Sequence, residues 1–190
     1  MSHGAAGFAY ALCSLAAATG RDDFAQAAAE CLAFENSSYD AGRSNWPDLR
    51  TEEPLWPCQW CHGAAGIGLA RIGIAKRGGM ADKRLEGDVR DALAGVERGS
   101  SAAVDTLCCG TLGNIEFICE AADMLQRDDL RELASRRLAA VLQRATATGD
   151  YRWNSGKRPF NLGLFRGLAG VGYTMLRRAD ASLPDVLIWE

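Results

Sequence analysis

Trp56-Pro57-Cys58-Gln59-Trp60-Cys61-His62-Gly63-Ala64-Ala65-Gly66-Ile67-Gly68 gathers two cysteines and a histidine into five positions, then runs straight into small and aliphatic residues. Taken alone, Cys58 to His62 has the spacing that attaches a c-type haem. Cys58 and Cys61 also suit a redox pair or half a zinc site. The second half of the stretch, a Gly-x-x-Gly followed by apolar residues, reads as a tight turn opening a buried helix. Where that second half recurs decides what the first half is for.

It recurs three more times. Ser2-His3-Gly4-Ala5-Ala6-Gly7-Phe8 precedes it, and Cys108-Cys109-Gly110-Thr111-Leu112-Gly113-Asn114 and Phe165-Arg166-Gly167-Leu168-Ala169-Gly170-Val171 follow. Gly4, Gly63, Gly110 and Gly167 are 59, 47 and 57 residues apart. Periods of this size mark repeated supersecondary units. After each turn comes a proline-free stretch, Phe8 to Ala18, Ile67 to Lys76, Ile115 to Leu125 and Val171 to Arg178, apolar nearly all round as a buried helix must be.

A second, amphipathic helix is predicted after each of the first three. Asp22 to Glu35 would bury Phe24, Ala27, Ala28, Cys31 and Leu32, and Asp82 to Arg98 would bury Leu85, Val89, Leu93 and Val96. Asp128 to Arg144 would bury Leu130, Leu133, Leu138, Val141 and Leu142. The spacing of three and four residues, with charge on the opposite face, is the helical signature. The expected fold is all-α: a partial α/α toroid of inner and outer helices, with three hairpins and a final inner helix. The glycines are there to let helices start tightly and pack closely. The residues just before them are the reactive ones, and turns gathered at one rim would bring His3, Cys61-His62 and Cys108-Cys109 together.

Composition narrows the function. A chain of 190 residues fits one domain, residues 1–190. A net charge of −3 gives no electrostatic case for nucleic acid or an anionic membrane, and no apolar run is long enough for a membrane helix. The apolar start lacks the basic n-region of a signal peptide. Seven cysteines, an odd number, suit a reducing compartment, so the expected location is cytoplasmic. Covalent haem normally follows export, which weakens the haem reading. Two long connections, Asn36 to Trp60 and Thr146 to Arg166, carry Trp46-Pro47-Asp48-Leu49, Trp56-Pro57 and Trp153-Asn154. Segments this long are usually functional or disordered, and their tryptophans mark them as ordered walls of a binding surface.

Cys61, Cys108 and Cys109 match a zinc site with three protein ligands, whose open fourth position would make it catalytic. Thiolates favour zinc over magnesium or calcium. Cys13, Cys31 and Cys119 fall within helix patterns as core residues. Cys58, outside the repeated pattern, could be a fourth ligand or a redox partner, and its position favours neither.

These motifs resemble the lanthionine synthetase C-like cyclase family, in particular the C-terminal cyclase domain of class II lanthipeptide synthetases. The resemblance rests on Ser2 to Gly7, Asn45-Trp46-Pro47-Asp48, Trp60 to Gly68, Leu107 to Asn114 and Gly167 to Tyr173, in an order covering essentially the whole chain. It implies a helical toroid with Zn2+ at its mouth, ligands at Cys61, Cys108 and Cys109, and an acid/base histidine at His3. His62, next to a ligand, would contact substrate or orient the site. The implied reaction adds a cysteine thiol of a dehydrated precursor peptide to dehydroalanine or dehydrobutyrine, closing a thioether ring in lanthipeptide (lantibiotic) biosynthesis. An imidazole suits this work because it can take and return a proton near neutral pH.

Two departures from the family pattern have consequences. Most members carry Cys-His-Gly where this chain has Cys108-Cys109-Gly110, so the likeness is to a three-cysteine subgroup. The extra thiolate is expected to keep a bound substrate thiolate more nucleophilic and less acidified. The hairpins also correspond only to the C-terminal half of the cyclase, so the N-terminal half and a dehydratase domain are expected as partners. Rival readings are a zinc protein of the same superfamily that binds thiols without cyclising, a haem protein, and an inactive fragment. Arg166 has the matching place in the last repeat, to steady a peptide carbonyl or carboxylate or to stand in solvent.

Overall fold

The structure, a computed structural model, describes residues 1–50, 52–77, 83–99, 103–153 and 161–190. Asp82 and Asn154, which the sequence reading assigned to a helix start and a loop wall, lie outside them. The described residues form seven helices: α1 (Ala5–Thr19), α2 (Asp22–Ser37), α3 (Ala64–Lys76), α4 (Lys83–Arg98), α5 (Thr111–Leu125), α6 (Asp128–Thr148) and α7 (Leu168–Ala179). The fold is all-α, as expected. Contacts divide it into two compact units, Met1–Gly99 and Ser100–Glu190.

In the first unit, α1 pairs with α2, α3 pairs with α4, and the inner helices α1 and α3 pack on each other. Helix α3 is buried from Ala64 to Ile74, all but its last two residues. That burial includes Arg71, which is fully enclosed. Its guanidinium donates to Asp88 of α4 at 2.7 Å and to Asn36 Oδ1 of α2 at 3.1 Å, and pairs with Glu35 of α2 at 2.8 Å. One inner-helix cation therefore ties two outer helices to the core. Glu35 also accepts the Ala6 backbone N–H of α1 at 3.1 Å, so the end of α2 is fixed on the start of α1.

In the second unit α5 pairs with α6 and touches α7. A second buried arginine repeats the device. Arg177 of α7 pairs with Glu116 and Glu120 of α5, at 2.9 Å for Glu120, and lies 3.5 Å from Asp185. Buried charges need such partners, because an unpaired one would cost several kcal/mol.

The outer helices bury much of what their periodicity promised. Leu85, Val89, Leu93 and Val96 of α4 are all core. In α2 only Ala28 and Leu32 are fully buried, and in α6 Leu130, Ala134 and Val141. Leu142 is exposed, and Cys31 and Cys119 are half-buried rather than core, whereas Cys13 is 2% exposed. The inner helices also differ from an all-round buried reading. Phe8 and Leu15 of α1 and Leu168 and Leu176 of α7 are exposed. An apolar sequence shows that a face can be buried, not that its own unit supplies the cover.

The inner helices begin three to four residues earlier than their apolar runs suggest, because the first glycine of each motif is the residue preceding the helix: Gly4, Gly63, Gly110 and Gly167. A glycine has no side chain to cap these starts, and at α1 the Glu35 carboxylate takes that part through Ala6 N–H. At α3, α5 and α7 the preceding loop does that work with its own carbonyls. Ala64 N–H donates to Pro57 O at 3.2 Å, Gly66 N–H to Gln59 O at 3.2 Å, Thr111 N–H to Val104 O at 2.9 Å and Leu168 N–H to Asn161 O at 2.8 Å. Each bond reaches seven residues back and satisfies an N–H group that the helix leaves without an internal partner.

The glycines make that approach possible. A Cβ on Gly63 would lie 1.7 Å from Pro57 O, on Gly66 1.9 Å from Trp60 O, on Gly167 2.0 Å from Asn161 O, and on Gly170 1.9 Å from Leu164 O. In the first repeat a Cβ on Gly7 would lie 1.9 Å from Met1 O. Every one of these carbonyls is six residues earlier in the chain. Gly-x-x-Gly is thus the signature of a loop folded back on its own helix start, which places the residue before the first glycine at the loop tip.

Candidate metal and acid/base site

The long loop of the first unit closes over α1 and α3 by short antiparallel bridges, Asp40 with Asn45, Asp48 with Leu55, and Cys58 with Gly63. Its hub is Asn45, 2% exposed. The Asn45 amide donates to Trp56 O and Pro57 O at 3.1 Å each and to Cys58 Sγ at 3.4 Å, while its Oδ1 accepts Trp46 N–H at 2.8 Å. Cys58 in turn donates to Gly95 O of α4 at 3.3 Å, and burial pushes its thiol pKa up. Its place is structural: it pins the loop to α4.

Fixed in this way, the loop presents Cys61 and His62 beside His3 of the N-terminal segment. Ser2 N–H donates to Cys61 O at 3.2 Å, drawing the first motif against the second. Cys61 Sγ lies 3.2 Å from His62 Nδ1, and the His3 and His62 rings are 6.1 Å apart. Cys61 is 2% exposed, His62 half-buried and His3 exposed. All three border a cavity of about 260 Å3 whose walls include Phe34, Trp46, Pro47 and Leu49. The tryptophan-bearing stretch is a wall, as its composition suggested.

Two polar residues on this cavity were not singled out as site residues in the sequence. Asp48 receives two bonds from Arg50, at 2.8 Å from Nε and 2.6 Å from Nη2. Arg50 holds the Asp48 carboxyl down to a pKa of about 2, with a smaller contribution from His62. The pair was legible only as part of a wall, since nothing in Asp-x-Arg spacing says which way either side chain turns.

In the second unit, Cys108 and Cys109 stand in the turn before α5, their Sγ atoms 3.2 Å apart. Asp105, fully buried, fixes that turn. It accepts Arg144 Nη2 at 2.6 Å, Arg152 Nη2 at 3.0 Å and Arg152 N–H at 2.8 Å. Burial alone would raise its pKa, but Arg152 and Arg144 outweigh that and hold it below the usual carboxylate range. The Tyr151 to Trp153 end of the second long loop is anchored here. Arg166, before α7, donates Nη2 to Cys109 Sγ at 3.5 Å. The described residues include all seven cysteines, and no disulfide forms among them.

A family model described as lanthionine synthetase C-like protein matches residues 1–188. The chain belongs to the lanthionine synthetase C-like family. No curated protein matches it. The vicinal Cys108/Cys109 pair stands in one of the motif turns, its sulfurs close enough to share a metal ion. Two thiolates each about 2.3 Å from a zinc ion lie roughly 3.8 Å apart at the tetrahedral angle, and small side-chain rotations span the difference from 3.2 Å. Among the described residues no helix is long and apolar enough to cross a membrane.

Proposed function

We propose that this chain is a zinc-dependent peptide cyclase acting in lanthipeptide (lantibiotic) biosynthesis. It would add cysteine thiols of a dehydrated precursor peptide to dehydroalanine or dehydrobutyrine, in the cytoplasm where its thiols stay reduced. The observation that carries the reading is in the first unit: a buried sulfur, Cys61, against the His62 imidazole, with the His3 ring 6.1 Å from that of His62, on one aromatic-walled cavity. Cys61, Cys108 and Cys109 would be the metal ligands, with His3 and His62 as acid/base groups. Thiolate sulfur selects zinc among the common hard and borderline cations.

Bound zinc would supply the incoming peptide thiol as a thiolate at neutral pH. His3, exposed at the cavity mouth, takes the thiol proton. The new bond joins sulfur to the β-carbon while the π pair moves toward the carbonyl as an enolate, and His3 returns a proton to the α-carbon. The step is a net addition with no oxidant. His62, with Nδ1 against Cys61 Sγ, orients the sulfur. The apolar walls exclude water and take up peptide side chains. The N-terminal cyclase half and a dehydratase domain are the partners this reading expects.

The test is zinc content of the purified chain, followed by incubation with a dehydrated precursor peptide while loss of free thiol is measured. Stoichiometric zinc and thiol loss are expected. His3→Asn should retain zinc and slow cyclisation by about a hundredfold or more, the scale of a lost general acid/base, while Cys108→Ala should lose the metal. Zinc with thiol binding but no ring formation would leave a non-catalytic thiol-binding protein instead.

A further inference from the structure

The residues before the four motif glycines are His3, His62, Cys109 and Arg166. The first three have roles in the proposed reaction, and the fourth does not. Its surroundings are specific. Cys108 N–H donates to Phe165 O at 2.8 Å, and a Cβ on Gly170 would sit 3.1 Å from Leu107 Cδ1, so the turns before α5 and α7 are locked side by side. That lock delivers the Arg166 guanidinium to Cys109 Sγ at 3.5 Å, with Cys108 Sγ 3.2 Å further on. Among the described residues Arg166 forms no ion pair with a carboxylate, although its side chain is exposed and long enough to reach solvent.

The geometry points to Arg166 as the counter-charge of the Cys108/Cys109 pair, cancelling the extra negative charge that Cys109 brings in place of a neutral imidazole. This rests on the reading of both cysteines as metal ligands. Three thiolates around a doubly charged ion leave one net negative charge, whereas two thiolates and an imidazole leave none. A guanidinium donating to the third sulfur restores neutrality and drains electron density from that sulfur, because charge-assisted hydrogen bonds are the strong ones. The acidifying power that the extra thiolate would remove from the centre is thereby returned. Arginine suits the task better than lysine, since its planar fork can face two neighbouring sulfurs and is always charged. Arg166 acts through Cys109 and is a positioning residue.

Coupling between the two positions tests this. Four full-length proteins are compared: wild type, Arg166→Gln, Cys109→His, and the double variant. Zinc retention is read by competition with a chelator at low and high salt, and cyclisation rate is read alongside. With Cys109 present, Arg166→Gln should weaken zinc retention on the order of tenfold, the loss expected of one charged hydrogen bond, and more at low salt than at high. With His at position 109 the same change should have less than about a twofold effect, as expected when the charge it answers is gone. Arg166→Lys should restore part of the loss, which a purely structural role would not predict. Equal effects in both backgrounds, or none with Cys109, overturn the inference while leaving the cyclase reading intact. A wild-type chain that holds no zinc overturns both together. Because Arg166 is exposed, its variants keep the core, and circular dichroism melts confirm it.

Discussion

Gly63 combines φ +99° with a Cβ position 1.7 Å from Pro57 O. Any side chain there is strained by its backbone conformation and also collides with a carbonyl that the helix start uses as an acceptor. Gly63→Ala is therefore expected to destabilise the first unit by about 3 kcal/mol or more, at the upper end for single substitutions, with Cys61 and His62 displaced along with the turn. Gly4→Ala, at a position with open space around it, should be close to neutral. Urea denaturation of the two variants makes the comparison. At this scale the sequence was informative about type and silent about partners. The repeat marked His3, Cys61, His62, Cys108, Cys109 and Arg166 as residues at equivalent turns. That Asp48 would be clasped by Arg50, or Cys109 by Arg166, depends on loop paths that no periodicity encodes.

Helix α3 shows what element-level reading misses. Its apolar run predicted burial and Ala64 to Ile74 are all buried, yet one of the enclosed residues is Arg71, held by Glu35, Asp88 and Asn36. Truncation to alanine leaves two carboxylates without their cation, and Arg71→Ala should cost about 3–5 kcal/mol, as broken buried ion pairs do. Arg71→Met combined with Glu35→Gln and Asp88→Asn should recover much of that loss, because the cost lies in orphaned charge rather than in missing attraction. Thermal melts of both variants check the difference. The outer helices were more legible, α4 above all, since its charged face and core face alternate cleanly. Helix starts were misread by three to four residues for a physical reason: the first turn is built by loop carbonyls and glycine, neither of which carries hydrophobic period.

Across the molecule, the two units answer acid differently. In the first, Arg50 holds Asp48 ionised down to about pH 2. Its contribution is present above the ordinary carboxylate range and is lost as pH falls through that value. In the second, burial pushes the Asp185 pKa up to about 7 despite the opposing charge of Arg177, with Glu120 and Glu116 adding to the rise. A carboxyl raised in the folded state stabilises below its unfolded pKa and loses that contribution as pH climbs through 7. Lowering pH from 8 to 5.5 should thus raise the melting temperature of the second unit, and Asp185→Asn should flatten that dependence. Differential scanning calorimetry of the full chain at the two pH values decides it. The helical-hairpin fold itself was readable because four equal motifs divided the chain at the right places. The exposed apolar residues of α1 and α7 were not, since amphipathic period reports a helix and not its neighbours.

The loop-to-helix closure has a consequence for how such a protein can be altered. Before α3 and α7 the backbone is fastened by main-chain bonds and by the absence of two side chains, so the shape does not rest on the side chain at the tip. The turns before α3 and α7 share this closure and carry different tips, His62 in one and Arg166 in the other. An imidazole at one tip and a guanidinium at the other show that such a turn lets reactivity change at a single residue while the scaffold stays as it is.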